Sequence, residues 1–166
     1  MPGTFDNTVS SAVAEVVAER TDHLFGLMGN GNAHVISHLT RQGFPFTSAR
    51  HEAATVAMAD AYFRATGRIT AATTTYGAGF TNTLTALAEA RLARVPLVLI
   101  VGDAPSTGPR TFDIDQTASA QALSVTTLVA DPANATAMTH IGHSTWLCGR
   151  SSLWFWPFPT TWQPPR

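Results

Sequence analysis

The 166-residue sequence contains no lysine; all ten of its basic residues are arginine. With so much alanine alongside, this points to a GC-rich coding sequence. A single cysteine, Cys148, excludes an internal disulfide and suits a reducing cytoplasm. Charged residues make up only 13% and the net charge is −1, so no basic footprint argues for nucleic acid. No apolar run approaches the length of a membrane span, and the first residues lack the regions of a signal peptide. The six histidines make no metal-ligand spacing: His34 and His38 are four apart, but nothing nearby completes a site. A chain of this length can bury a real core. Its 45% apolar content with so few charges implies a large buried face or a partner.

The chain is organised around Phe44-Pro45-Phe46-Thr47-Ser48-Ala49-Arg50-His51-Glu52-Ala53-Ala54. It reads as a short strand running into a helix, with a carboxylate in the first helical turn. Ala53, Ala54, Val56, Ala57, Met58 and Ala59 make that helix apolar nearly all round, so it is expected to be buried. A carboxylate there costs free energy unless something polar meets it. Glu52 is therefore either a helix-start residue satisfied by free backbone N–H groups or a group set up to share a proton with a ligand.

In chain order, Val9, Val13, Val16 and Val17 recur at helical spacing, with Asp6, Asn7 and Thr8 available as caps. His23 to Met28 reads as a strand ending in Gly29-Asn30-Gly31-Asn32. A helix follows, with Val35, Ile36 and Leu39 on one face and Gly43 as its stop. After the Phe44 strand and the Glu52 helix, which ends at Thr66-Gly67, Ile69 to Thr74 is β-branched. Tyr76-Gly77-Ala78-Gly79 is its turn. Thr81 and Asn82 are expected to cap a helix that carries Leu84, Leu87, Ala88 and Leu92 inward. Leu97 to Val101 is a continuous apolar run, expected of a strand covered on both faces. Residues 102–109 form a loop. A helix from Gln116 to Leu123, a strand from Val125 to Val129, and a helix begun by Asp131-Pro132 complete the regular part. Such alternation predicts an α/β fold with a parallel sheet. Ligands in these sheets lie beyond the carboxyl ends of the strands, and Asn30, Glu52, Tyr76 and Asp103 all fall there.

Several pieces stand in one order: His23 to Asn32, Arg50-His51-Glu52, Met58 to Tyr62 with Ala65 to Arg68, Thr75 to Asn82, and Val95-Pro96-Leu97 with Gly102-Asp103. Over about residues 7 to 137 this order resembles the N-terminal pyrimidine-binding domain of thiamine-diphosphate enzymes of the acetolactate synthase and 2-oxo-acid decarboxylase superfamily. The resemblance implies a three-layer αβα fold with a parallel sheet, and thiamine diphosphate as cofactor. It implies that Glu52 is the catalytic glutamate hydrogen-bonded to N1′ of the aminopyrimidine, promoting the imino tautomer that generates the ylide. Thr75, Tyr76, Gly77, Gly79 and Asn82 belong to the glycine-rich loop beside the pyrimidine. Asn30 and Gln116 fall where members place substrate-facing residues. Each has a plainer alternative: Asn30 as a turn residue, Thr75 and Tyr76 as strand-end residues, Gln116 as a surface helix residue, and His51 as a packed or capping histidine. The sequence departs from the family at Tyr76 (usually serine), Ala78 (usually proline) and Met28 (often proline), which leaves the substrate class open. Gly29-x-Gly31 and Gly77-x-Gly79 are fragments of a dinucleotide fingerprint without its third glycine, a weaker rival reading.

In this family a separate domain holds the diphosphate and its Mg²⁺ through a Gly-Asp-Gly motif, and that motif does not occur here. The resemblance therefore implies half of a site, completed in a homodimer or by a diphosphate-binding domain or subunit, acting on a small 2-oxo acid. From about Ile141 the composition breaks: all four tryptophans, the cysteine and four of the ten prolines lie beyond it, and no Asp or Glu does. Residues 1–140 are thus expected to be the pyrimidine-binding domain and 141–166 an atypical Trp/Pro-rich tail. With permissible codons for Ser152 to Pro164, a shift of two bases reads Ala-Val-Val-Leu-Ala-Ile-Pro-Tyr-Asp-Leu-Ala-Thr, which resembles the domain's last strand and exit. The expectation is an out-of-frame tail on a truncated carboligase or decarboxylase, inactive alone and lacking its last strand. The alternatives are a stand-alone subunit of a two-chain decarboxylase, similar to those acting on sulfopyruvate, and a non-catalytic interaction remnant. Sequencing the gene tests the tail: an unbroken frame with other codons sinks the idea.

Overall fold

The computed structural model describes residues 8–103, 112–129 and the backbone of 151–155. Thr8 opens the first helix, α1 (Val9–Arg20): its hydroxyl accepts from the Ser11 N–H at 3.2 Å, and the Ser11 hydroxyl accepts from the Thr8 N–H at 3.1 Å. That reciprocal cap satisfies two donors a helix start otherwise leaves orphaned. There follow β1 (Leu24–Gly26), α2 (Ala33–Arg41), β2 (Phe46–Ser48), α3 (Glu52–Thr66) and β3 (Thr70–Thr74). Next come the single turn α4 (Ala78–Thr81), α5 (Leu84–Leu92), β4 (Leu97–Gly102), α6 (Gln116–Ala122), β5 (Thr126–Val129) and β6 (Ser151–Phe155). Gly43 and Gly67 end α2 and α3 in the left-handed region, at φ 76° and 72°, which only glycine adopts without strain.

The strands form one sheet in the order β2-β1-β3-β4-β6-β5. β2, β1, β3 and β4 are parallel, and β4 is buried along its whole length, as a continuous apolar run requires. Successive strand residues face opposite sides, and this alternation divides the core in two. Leu24, Ala71, Val98 and Ile100 pack with Val13, Val17, Val35 and Leu39 of α1 and α2. Phe25, Ala72, Leu99 and Val101 pack with Val56, Phe63 and Leu87 of α3 and α5. The result is the expected three-layer αβα arrangement.

β6 runs antiparallel to both its neighbours, β4 and β5. The place beside β4 is thus taken by Ser151–Phe155, part of the expected tail, running in the reverse sense to β4. The helix expected from Asp131-Pro132, the middle of the 102–109 loop and the tail beyond 155 lie outside the described residues.

Two expectations are corrected. α3 is buried along one face only, through Thr55, Val56, Ala59, Asp60 and Phe63, while Ala57, Ala61 and Ala65 are exposed. Alanine is neutral to position, and the sheet touches one side of a helix, so the bulky residues decided which side. Leu92 points outward, 78% exposed, because it lies about 140° round α5 from the buried Leu87; α5 itself starts at Leu84, after the separate turn α4.

On the opposite end of the sheet from the strand carboxyl ends, His23 stacks on Phe25 at 4.4 Å between ring centroids, and its Nε2 pairs with the Thr47 hydroxyl at 2.8 Å. Burial holds the His23 imidazolium below its usual pKa of 6.5. The unfolded chain therefore takes up this proton first as pH falls. The stability His23 contributes is complete above 6.5 and is lost as pH drops from there through the folded value. Urea midpoints at about pH 7.5 and about pH 5.5 should differ more for the native chain than for His23→Gln; equal differences would contradict this.

Candidate functional site

The carboxyl ends of β1 to β4 converge, and glycines let them do so. A Cβ on Gly102 would lie 2.5 Å from the Gly31 Cα, and one on Gly31 would lie 2.7 Å from the Gly102 Cα, so the β1–α2 loop rests directly on the end of β4. The Gly31 N–H donates to the Thr75 hydroxyl at 3.1 Å, tying the same loop to the end of β3. The Tyr76 ring lies against Gly31, its Cδ1 2.9 Å from where a Cβ would be.

Beneath this loop is Asn32, 1% exposed. Its side chain does not cap α2. Instead Nδ2 donates to the Leu27 carbonyl at 3.1 Å and to the Thr73 hydroxyl at 3.0 Å, and Oδ1 accepts from the Gly29 N–H at 2.8 Å. Thr73 in turn donates to the Ile100 carbonyl. Sequence reasoning singled out Asn30 instead, which is exposed. Two asparagines in Gly-Asn-Gly-Asn are indistinguishable as turn residues; only the packing of α2 selects the second for burial.

Glu52 is the first residue of α3, and His51 caps that helix by accepting the Ala53 N–H on Nδ1 at 3.2 Å. This is the capping alternative for His51. The Glu52 carboxylate is half-buried, so the cost of enclosing it is only partly levied. Its Oε2 accepts from Asn82 Nδ2 at 2.9 Å. Oε1 has no hydrogen-bond partner among the described residues and faces Gly79, where a Cβ would be 3.5 Å away. That same Cβ would meet Thr75 Cγ2 at 2.7 Å and the Thr74 hydroxyl at 2.9 Å, so position 79 has no room for a side chain.

Gln116 is buried, 6% exposed, which excludes the surface alternative. Its Oε1 accepts from the Gly77 N–H at 3.1 Å and its Nε2 donates to the Gly102 carbonyl at 3.2 Å, joining the turn after β3 to the end of β4. Gly77 has φ 65°, and a Cβ there would be 2.2 Å from the Phe112 carbonyl oxygen, so only glycine fits. A groove of about 460 Å³ lies on the other side of Gln116, lined also by Asp103, Asp113, Ile114, Asp115 and Val129, with Glu52 outside it. The structure thus gathers Glu52, Gly79 and Asn82 in one place and Thr75, Tyr76 and Gly77 in the floor beside it. Asn30 is exposed, between Gly29 and Gly31, which lie against Thr75. No group of three metal-ligating side chains occurs among the described residues, and no helix among them is long and apolar enough to cross a membrane.

A three-layer α/β domain with a parallel sheet belongs to the open-sheet class, in which ligands lie beyond the carboxyl ends of the strands. Residues 7–128 match the family model described as thiamine pyrophosphate enzyme, N-terminal TPP binding domain, and the chain belongs to that family. It is 39% identical over 93 residues to the 2-hydroxyacyl-CoA lyase 2 of Xenopus laevis, covering 55% of this chain and 14% of that one. To the acetolactate synthase large subunit of Buchnera aphidicola (Schizaphis graminum strain) it is 34% identical over 95 residues, 57% of this chain and 17% of that one. To the sulfoacetaldehyde acetyltransferase of Castellaniella defragrans it is 31% identical over 107 residues, 64% of this chain and 18% of that one. The chain thus aligns with less than a fifth of each of these relatives.

The family binds thiamine diphosphate, and the residues present fit its aminopyrimidine end. A ring nitrogen needs a carboxylate oxygen that the protein has not already used, and Glu52 Oε1 is one. The backbone of Gly79 faces that oxygen, with a Cβ position 3.5 Å away.

Proposed function

We propose that this chain supplies the aminopyrimidine half of a thiamine-diphosphate site in a carboligase or decarboxylase of the acetolactate-synthase type acting on 2-oxo acids. The observation that carries the reading is the Glu52 carboxylate, anchored through Oε2 by Asn82, with Oε1 facing Gly79 and without a hydrogen-bond partner among the described residues. In this role Glu52 holds the proton exchanged with the pyrimidine N1′. Gly77 and Gly79 let the turn after β3 pack closely on Phe112 and on Thr74 and Thr75, and Thr75 and Tyr76 hold the neighbouring loop in place. Bound here, the cofactor supplies a carbon nucleophile and an electron sink for bond making or breaking next to a carbonyl. The relatives' names divide between a lyase on one side and a synthase and an acetyltransferase on the other, in keeping with a reaction class that includes both directions.

The diphosphate and its Mg²⁺ are assigned to a separate domain or polypeptide, because this sequence has no Gly-Asp-Gly. Alone, the chain is then inactive, and the working unit is a homodimer or a pairing with a diphosphate-binding subunit. The single cysteine accords with a cytoplasmic setting. The truncated, out-of-frame origin of the tail belongs to the same proposal.

The test is complementation. The chain is mixed with a separately expressed diphosphate-binding domain of an acetolactate synthase large subunit, with thiamine diphosphate and Mg²⁺, and pyruvate consumption is followed. Turnover is expected only in the mixture. Turnover by the chain alone would overturn the half-site assignment. A mixture that associates but neither binds the cofactor nor turns over would favour the non-catalytic remnant.

A further inference from the structure

We infer that Asn82 is a positioning residue that acts on Glu52, not a cofactor contact in its own right. The inference rests on the reading of Glu52 given above. A carboxylate has two equivalent oxygens and can turn either of them toward a ligand. Here the Asn82 amide takes up Oε2 at 2.9 Å, so only Oε1, facing Gly79, is left without a partner among the described residues. An amide N–H can donate to a carboxylate but gives it no proton, which keeps Oε2 an acceptor and directs proton exchange to Oε1.

The placement follows from the backbone. α4 is one turn, Ala78–Thr81, and Asn82 ends it with its own N–H bonded to the Ala78 carbonyl at 3.0 Å. Positions 79 and 82 are three apart, so they share one side of that turn, and this side faces the start of α3. One residue faces Oε1 and the other fixes Oε2. Asn82 is itself exposed, so its amide answers no burial demand of its own.

The experiment is a double-mutant cycle on the full chain, read by NMR titration with 4-amino-5-hydroxymethyl-2-methylpyrimidine, the aminopyrimidine half of the cofactor. Asn82→Ala should weaken binding about 10-fold on the native background and no more than about 2-fold on Glu52→Gln. Asn82→Asp keeps the shape but sets a second carboxylate against Glu52, and should weaken binding more than Asn82→Ala does. Without any ligand, the Asn82 side-chain amide resonances should move in Glu52→Gln, while the far-UV circular dichroism does not. Equal losses on both backgrounds would mean that Asn82 meets the pyrimidine directly, and no loss on the native background would mean that it does not orient Glu52; either overturns the inference while leaving the role of Glu52 intact. Undiminished binding by Glu52→Gln, or no saturable binding by the native chain, would overturn the reading of Glu52 and this inference with it.

Discussion

Glu52→Gln should lower turnover in the complemented enzyme by about 10²- to 10⁴-fold, the usual worth of a positioned acid–base group. The substitution is nearly isosteric. Its amide oxygen can still accept from Asn82 Nδ2, so the one hydrogen bond of the native carboxylate among the described residues is retained. Residue 52 is half-buried at a helix start capped by His51, not by its own side chain. Thermal stability should therefore change little, within about 0.5 kcal/mol. What disappears is the capacity of the open oxygen to carry and return a proton. Turnover and melting temperature measured together separate the two effects. Turnover that survives the change would remove Glu52 from cofactor activation, and a large fall in stability would make it a structural residue.

Asn32→Ala should destabilise the chain by about 3 kcal/mol, for three lost hydrogen bonds at about 1 kcal/mol each in a buried site. The side chain is 1% exposed and joins the Leu27 carbonyl, the Gly29 N–H and the Thr73 hydroxyl. Water cannot replace these contacts without opening the β1–α2 loop. Asn32→Asp keeps an acceptor for Gly29 but loses both donated bonds and buries a charge, so it should be at least as harmful. Asn30→Ala, two residues earlier and exposed, should fall within about 0.5 kcal/mol of the native chain. Urea denaturation of the three variants checks the ranking. A mild effect at Asn32, or a large one at Asn30, would show that the loop is held by something else.

Much of the architecture was legible before any coordinates. The apolar run at 97–101 became the strand buried throughout, and the Val35, Ile36 and Leu39 stripe became the inner face of α2. Both are periodic signals long enough to outweigh local ambiguity. The resemblance in motif order brought the family, and the position of Glu52 at the start of α3 followed. The alanine-rich sides of α3 were not legible, because small residues carry no directional preference; the outward turn of Leu92 follows from its place about 140° round α5 from Leu87. Asp115 as the cap of α6, accepting the Ala118 N–H at 2.7 Å, also passed unremarked although Asp is a preferred cap.

By itself the sequence determined the alternation of strands and helices, the end of the sheet where ligands bind, and the carboxylate to look for there. Those features depend on spacing along the chain, which sequence records directly. Only the tertiary structure decided which polar residues are buried and which meet: Asn32 rather than Asn30 is buried, Gln116 spans two strand ends, and Asn82 meets Glu52 across thirty residues. The reason is physical. A hydrogen bond is specific to a few tenths of an ångström and a direction, and side chains far apart in sequence acquire that relation only when packed helices bring their backbones together.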